Sequence, residues 1–142
     1  TQIIQEKTSA ADDILMANMA LYHNSVMNGD TTGAIQLLTK VVKTNVSIIT
    51  AEAHYLLAKL YYDQGKYEVS EKTAFEVIKK QASYEYWVTK TYILLGDIYV
   101  AQHDNFNAIA TFKSVAENAN IDELKTEAAN KLKLLVEKSN IK

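Results

Sequence analysis

The chain contains no cysteine, which removes disulfides, thiolate catalysis and cysteine-ligated zinc together. It contains no arginine either: all 15 positive charges are lysine. Arginine is the usual bidentate reader of phosphate and guanine, so no nucleic-acid partner is expected. A formal net charge of -2 argues the same way, because it leaves no electrostatic footprint for nucleic acid or an anionic membrane. Proline is absent and there are 4 glycines. No stretch is rich in serine, glycine or one sign of charge, so no linker or low-complexity segment follows the first nine residues. No apolar run approaches the roughly 18–20 residues that span a bilayer, and no membrane insertion is expected. HExxH, GxSxG and glycine-rich phosphate-loop motifs are all missing. No cofactor or metal is therefore expected, and no enzymatic activity.

What the sequence does contain is a motif that returns three times. Gly29-Asp30 stands five residues before Ala34, Gly65-Lys66 five before Ser70, and His103-Asp104 five before Ala108. The small residues Ala34, Ser70 and Ala108 are thus 36 and 38 residues apart. Self-similarity at this period signals a helical solenoid, in which each unit buries its apolar face against its neighbours. With 142 residues, 48% of them apolar, there is enough chain for one domain with a continuous core if the units stack.

Seven helical segments follow from hydrophobic spacing. The first covers 10–28, with Ile14, Ala17, Leu21 and Ser25 facing inward and Gly29 as its stop. Asp30, Thr31 or Thr32 caps the second, whose stripe is Ala34, Leu37, Leu38, Val41 and Val42. The third, about 47–64, carries Ala53, Leu57, Leu60 and Tyr61 on one face; the fourth, 67–80, carries Ser70, Ala74, Val77 and Ile78. In the fifth, 83–102, the apolar face is Trp87, Val88, Tyr92, Leu95, Ile98 and Tyr99, and in the sixth, 105–118, Ala108, Phe112 and Val115. The last begins near Asp122, with Ile121, Leu124, Ala128, Leu132 and Leu135 inward and Lys125, Lys131, Lys133 and Lys138 outward. Asp12-Asp13 and Asp122-Glu123 read as acidic first-turn charges that complement helix dipoles. No period-2 alternation lasts long enough for a strand, so the fold class is all-α.

Three units of paired helices follow: 10–45, 47–82 and 83–119, closed by a capping helix over 121–140. Residues 1–9, polar apart from Ile3-Ile4, read as a flexible arm or the stump of a preceding helix. The chain opens at Thr1 with neither a Met nor a signal-like apolar stretch, which reads as a piece of a longer product.

The middle unit, AEAHYLLAKLYYDQGKYEVSEKTAFEVIKK over 51–80, resembles a tetratricopeptide repeat without a gap. Leu57, Ala58, Tyr61, Gly65, Tyr67, Ser70, Ala74 and Val77 fall on that repeat's characteristic positions. Ala58 and Ser70 face each other where the two helices cross, so both are small. Leu95, Gly96, Tyr99, Ala108 and Phe112 repeat the pattern in the third unit, whereas Tyr22 stands in the first where a small residue belongs. The run 71–119 is also similar to the C-terminal end of large exported tetratricopeptide proteins of Bacteroidetes-type bacteria. Tyr86-Trp87, Lys90, Ile93-Leu94-Leu95, Asp97-Ile98-Tyr99, Asp104-Asn105-Phe106 and Ala108 carry that likeness, with His103 in place of a glycine.

The resemblance implies an α-α superhelix that acts as a protein–protein interaction scaffold, as the C-terminal part of a larger cell-envelope protein. It implies a periplasmic or outer-membrane-associated location and a protein or peptide ligand on the concave face. The residues it assigns to that face are Met16, Met19, His23, Val26 and Met27 in the first unit. They are Glu52, Tyr55, Lys59, Tyr62 and Asp63 in the second, and Lys90, Ile93, Asp97, Val100 and Ala101 in the third. The central candidates are Tyr55, Lys59, Tyr62, Asp63, Lys90, Ile93 and Asp97, with Asp97 expected to pair with Lys59 or Lys90. Tyrosine gives large contact area at low entropy cost, which suits a binding surface. The plainer reading of Tyr55 and Tyr62 is that they cover the neighbouring repeats.

The family's clamp for chaperone tails is not present: Lys90 fits one place, but Met19, His23, Leu56 and Leu94 hold the others. Met16, Met19 and Met27, the only methionines, are expected to pack on a preceding repeat or to form an adaptable surface. His54 reads as a half-buried structural histidine and His103 as a turn residue. The alternative function is self-association, or an end cap of a longer array with no ligand of its own.

Overall fold

The computed structural model describes residues 2–43 and 47–140, with side chains over 13–43 and 47–139. Thr1, the junction 44–46, and the side chains of Ile3, Ile4 and Asp12 lie outside the described residues. Seven helices and no strands occur among the described residues. They are α1 (Gln2–Met27), α2 (Thr31–Val41), α3 (Ile48–Asp63), α4 (Tyr67–Lys80), α5 (Glu85–Ala101), α6 (Asn105–Asn118) and α7 (Asp122–Asn140). The sequence reading starts the first helix near residue 10 and sets 1–9 apart as a flexible arm or the stump of a preceding helix. Instead α1 runs unbroken from Gln2. Residues 2–9 include Gln, Glu and Lys, which lose little rotamer freedom in a helix, and contain no glycine or proline to stop it.

The thrice-repeated motif is one turn built three times. After α1, the Gly29 N–H donates to the Val26 carbonyl and the Asp30 N–H to Ser25. After α3 the donors are Gly65 to Tyr62 and Lys66 to Tyr61, and after α5 His103 to Val100 and Asp104 to Tyr99. This paired closure satisfies the last carbonyls of a helix, and it needs a residue in the left-handed region. Gly29 and Gly65 take it at φ 74° and 75°; His103 takes it at 62°. The next residue starts the partner helix at once. Asp30 accepts from the Gly33 N–H at 2.9 Å and Asp104 from the Asn107 N–H at 3.2 Å, whereas Lys66 offers no side-chain cap. Tight turns of this kind force α1/α2, α3/α4 and α5/α6 to pack as adjacent helices.

Burial follows a chain of overlapping trios. Leu15, Met19, Tyr22, Ala34, Leu38, Val41, Ala53 and Leu57 join α1, α2 and α3. Ala58, Ala74, Leu94, Leu95 and Ile98 join α3, α4 and α5, and Ile93, Ala108, Phe112, Val115, Leu124, Ala128 and Leu135 join α5, α6 and α7. Beyond sequential neighbours, the helices that touch are α1 with α3, α3 with α5 and α5 with α7. Among the described residues, the even-numbered helices do not touch one another. The odd-numbered helices therefore form one closely spaced layer and the even-numbered ones a second.

Close approach within pairs rests on small residues. The Ser70 hydroxyl donates to the Ala58 carbonyl at 2.7 Å in the α3–α4 crossing. In α5, a Cβ on Gly96 would collide with the Phe112 ring of α6.

Two inward assignments change. On α1 the core side is Leu15, Met19 and Tyr22, while Ile14 and Leu21 are 63% and 52% exposed. The helix carries two apolar stripes, and periodicity cannot choose between them; packing on α2 and α3 does. On α5, Tyr92 is exposed and Thr91, Ile93, Leu94 and Gly96 are buried instead. A helix packed on four others is apolar nearly all round, which flattens the periodic signal.

Candidate functional site

The odd-numbered layer lines a partly open cavity of about 350 Å³ between α3, α5 and α7. From α3 come Tyr55, Lys59 and Tyr62, one turn apart, since 55, 59 and 62 fall on one face. From α5 come Lys90, Ile93, Leu94 and Asp97, again on one face, and α7 closes the far side with Glu127 and Lys131. Six of the seven central candidates from the sequence line this space. Asp63 does not: it sits exposed at the rim, where it pairs with Lys59 at 2.6 Å.

Tyr55 is held on several sides. Its ring lies 5.6 Å from that of Trp87 and it packs on the α3–α4–α5 core. The Lys90 ammonium stands over its face, 5.8 Å from the centroid. Burial pushes the Tyr55 phenol up to about 12, helped by the negative fields of Glu127, Asp97, Tyr86 and Asp63. The hydroxyl therefore stays protonated at neutral pH and is available as a donor. Tyr62 is more open. It packs at 5.6 Å on Tyr67 and receives the Lys59 ammonium 5.2 Å from its centroid. Burial again raises its phenol, with Asp97 next. Both tyrosines thus cover core and face the cavity at once. Ile93 is 3% exposed and belongs mainly to the α5–α6–α7 core.

Asp97 pairs with neither Lys59 nor Lys90. Both its oxygens accept from Lys131 of α7, at 2.9 and 3.0 Å. Lys131, expected to point to solvent, is instead the polar tie between α5 and α7. The same ion pair borders a second hollow of about 160 Å³ that includes Val100, Phe112, Leu134 and Lys138. The missed contribution of Glu127 and Lys131 had a signal. Alternating helices line the layer, so a seventh helix falls on the lining side, and residues 127 and 131 are one turn apart beside buried Leu124, Ala128 and Leu135.

The remaining candidates lie elsewhere. Met19 is core, while Met16 and Met27 are exposed, as is His23 beside Tyr22. His54 is buried more deeply than expected, at 2% exposure, with Nε2 3.8 Å from a Glu76 carboxylate oxygen. Among the described residues, no group of histidines and carboxylates is arranged to hold a metal, and no helix is long and apolar enough to cross a membrane. No protein-family model matches the chain, and no curated protein is significantly similar to it.

Proposed function

We propose that this chain is a tetratricopeptide-like superhelix of three helix pairs and a capping helix that binds a protein or peptide on its inner layer. In this reading the odd-numbered helices form the concave side, the chain catalyses nothing, and it works as part of a larger protein of a bacterial cell envelope. The observation that supports it is the convergence of α3, α5 and α7 on one lined cavity. Two tyrosine rings of α3 share that cavity with four charged side chains of α5 and α7, which offers both contact area and orientation. A rigid surface also spares the binding partner's ordering cost from being doubled by the scaffold's own.

The test is Tyr62→Ala. Tyr62 is the more open of the two rings, so its removal is expected to weaken capture of peptides from a displayed random library at least about tenfold, a loss of about 1.4 kcal/mol. The helical circular dichroism spectrum stays unchanged. Loss of helicity together with binding would make the ring core, and the site assignment would fall.

One observation favours a second reading, self-association or an end cap. Ile14, Ala17 and Leu21 form an exposed stripe along α1. Light scattering that finds only monomer at high concentration removes the self-association form of it.

A further inference from the structure

Not every charge that lines the cavity has an ion-pair partner among the described residues. Three of its charges are spoken for: Lys131 and Asp97 by each other, and Lys59 by Asp63 at the rim. Lys90 and Glu127 are not, since no ion pair or hydrogen bond joins either of them to a described residue. Both flank the same group: Lys90 stands over the Tyr55 ring, and the Glu127 charge acts on the Tyr55 hydroxyl. Both are partly withdrawn from solvent. Lys90 has only the Tyr55 ring face against it and Glu127 has no counter-charge, so an incoming group of opposite sign gains an ion pair at each, and gains more between packed helices than on an open surface.

We infer that the cavity recognises a peptide segment carrying one acidic and one basic side chain, the acid seated on Lys90 and the base on Glu127, across Tyr55. This rests on the peptide-binding reading above and specifies its ligand. The Tyr55 ring separates the two seats, with Lys90 over its face and Glu127 on the side of its hydroxyl. The Lys131–Asp97 pair ties α7 to α5 and so keeps Glu127 in the cavity wall; it positions the site and takes no part in choosing the ligand. A polyacidic or polybasic segment satisfies one of the two charges and is repelled by the other, which makes the site selective for the mixed pair.

The experiment uses a displayed library of random linear peptides selected on the whole chain, and in parallel on Lys90→Gln, Glu127→Gln and Tyr62→Ala. The wild type is expected to enrich peptides with an acidic and a basic residue at one fixed spacing. Lys90→Gln keeps only the basic preference and Glu127→Gln only the acidic one. A synthetic peptide from the wild-type selection loses about tenfold in affinity against either variant. Both side chains are lined up on helix surfaces, and unchanged circular dichroism confirms that the variants fold. Enriched peptides without a fixed charge pair, or preferences that the two variants leave untouched, would overturn this inference while leaving peptide binding intact. No enrichment above the Tyr62→Ala background would overturn both.

Discussion

His54 shows at the residue scale how burial sets a titration. It sits on α3, with Glu76 and Lys80 of α4 facing it, and Nδ1 has no hydrogen-bond partner among the described residues. Burial lowers its pKa; the Glu76 field opposes this and Lys80 adds to it. The unfolded chain takes up this proton near pH ~6.5 and the folded chain only at lower pH. The contribution to stability is therefore present above about pH 6.5 and is lost as pH falls towards the folded value. Melting temperatures recorded from pH 7.5 down to 5 are expected to fall for the wild type and to fall less steeply for His54→Gln. Equal slopes would assign the loss to other groups. His103 is the second single-residue test. It holds a left-handed φ of 62° that glycine holds in the two equivalent turns. Strain of roughly 1–2 kcal/mol, less the entropy cost of glycine, predicts that His103→Gly stabilises by about 0.5–1 kcal/mol. Denaturant melts decide it, and a destabilised variant would mean the imidazole makes a contact worth more than the strain.

At the scale of elements, helix pairing depends on what is left out as much as on what is packed. Gly96 has no room for a side chain because the Phe112 ring occupies the place of its Cβ. Phe112 is itself 1% exposed in the α5–α6–α7 core, so it cannot swing out cheaply. Gly96→Leu is therefore expected to cost about 1–3 kcal/mol through overpacking, read as a lower unfolding midpoint at unchanged slope. An unaltered midpoint would mean that α5 and α6 cross elsewhere. The sequence made most of this level legible, because the signals are local. Gly29, Gly65 and His103 mark the helix ends, Asp30 and Asp104 cap the next helices, and Ala34, Ser70 and Ala108 sit buried where small residues were expected.

Over the whole molecule, among the described residues, contacts run only between helices one or two places apart in chain order. Packed against α1, α2, α4 and α5, helix α3 has neighbours on both sides, and so has α5, against α3, α4, α6 and α7. Helices α1 and α7 have neighbours on one side only among the described residues. Amide exchange is thus expected to be slowest in α3 and α5 and faster in α1 and α7, since local opening at an end breaks fewer contacts. Uniform protection along the chain would show instead a single cooperative unit.

The sequence by itself determined the helices, their turns and the pairing of neighbours, because capping, left-handed closure and small-residue crossings act within a few residues or one helix pair. The resemblance to a tetratricopeptide repeat also assigned Tyr55, Lys59, Tyr62, Lys90, Ile93 and Asp97 to a candidate face, and helical spacing puts those of one helix on a shared side. Only the tertiary structure decided which of two apolar stripes on α1 is buried, and that Asp97 meets Lys131 rather than Lys59 or Lys90. The physical reason is reach. Several lysines offer equivalent charges along the chain, and which one arrives at Asp97 depends on how α7 stacks against α5, an orientation set by the shared core of Ile93, Phe112, Leu124 and Ala128.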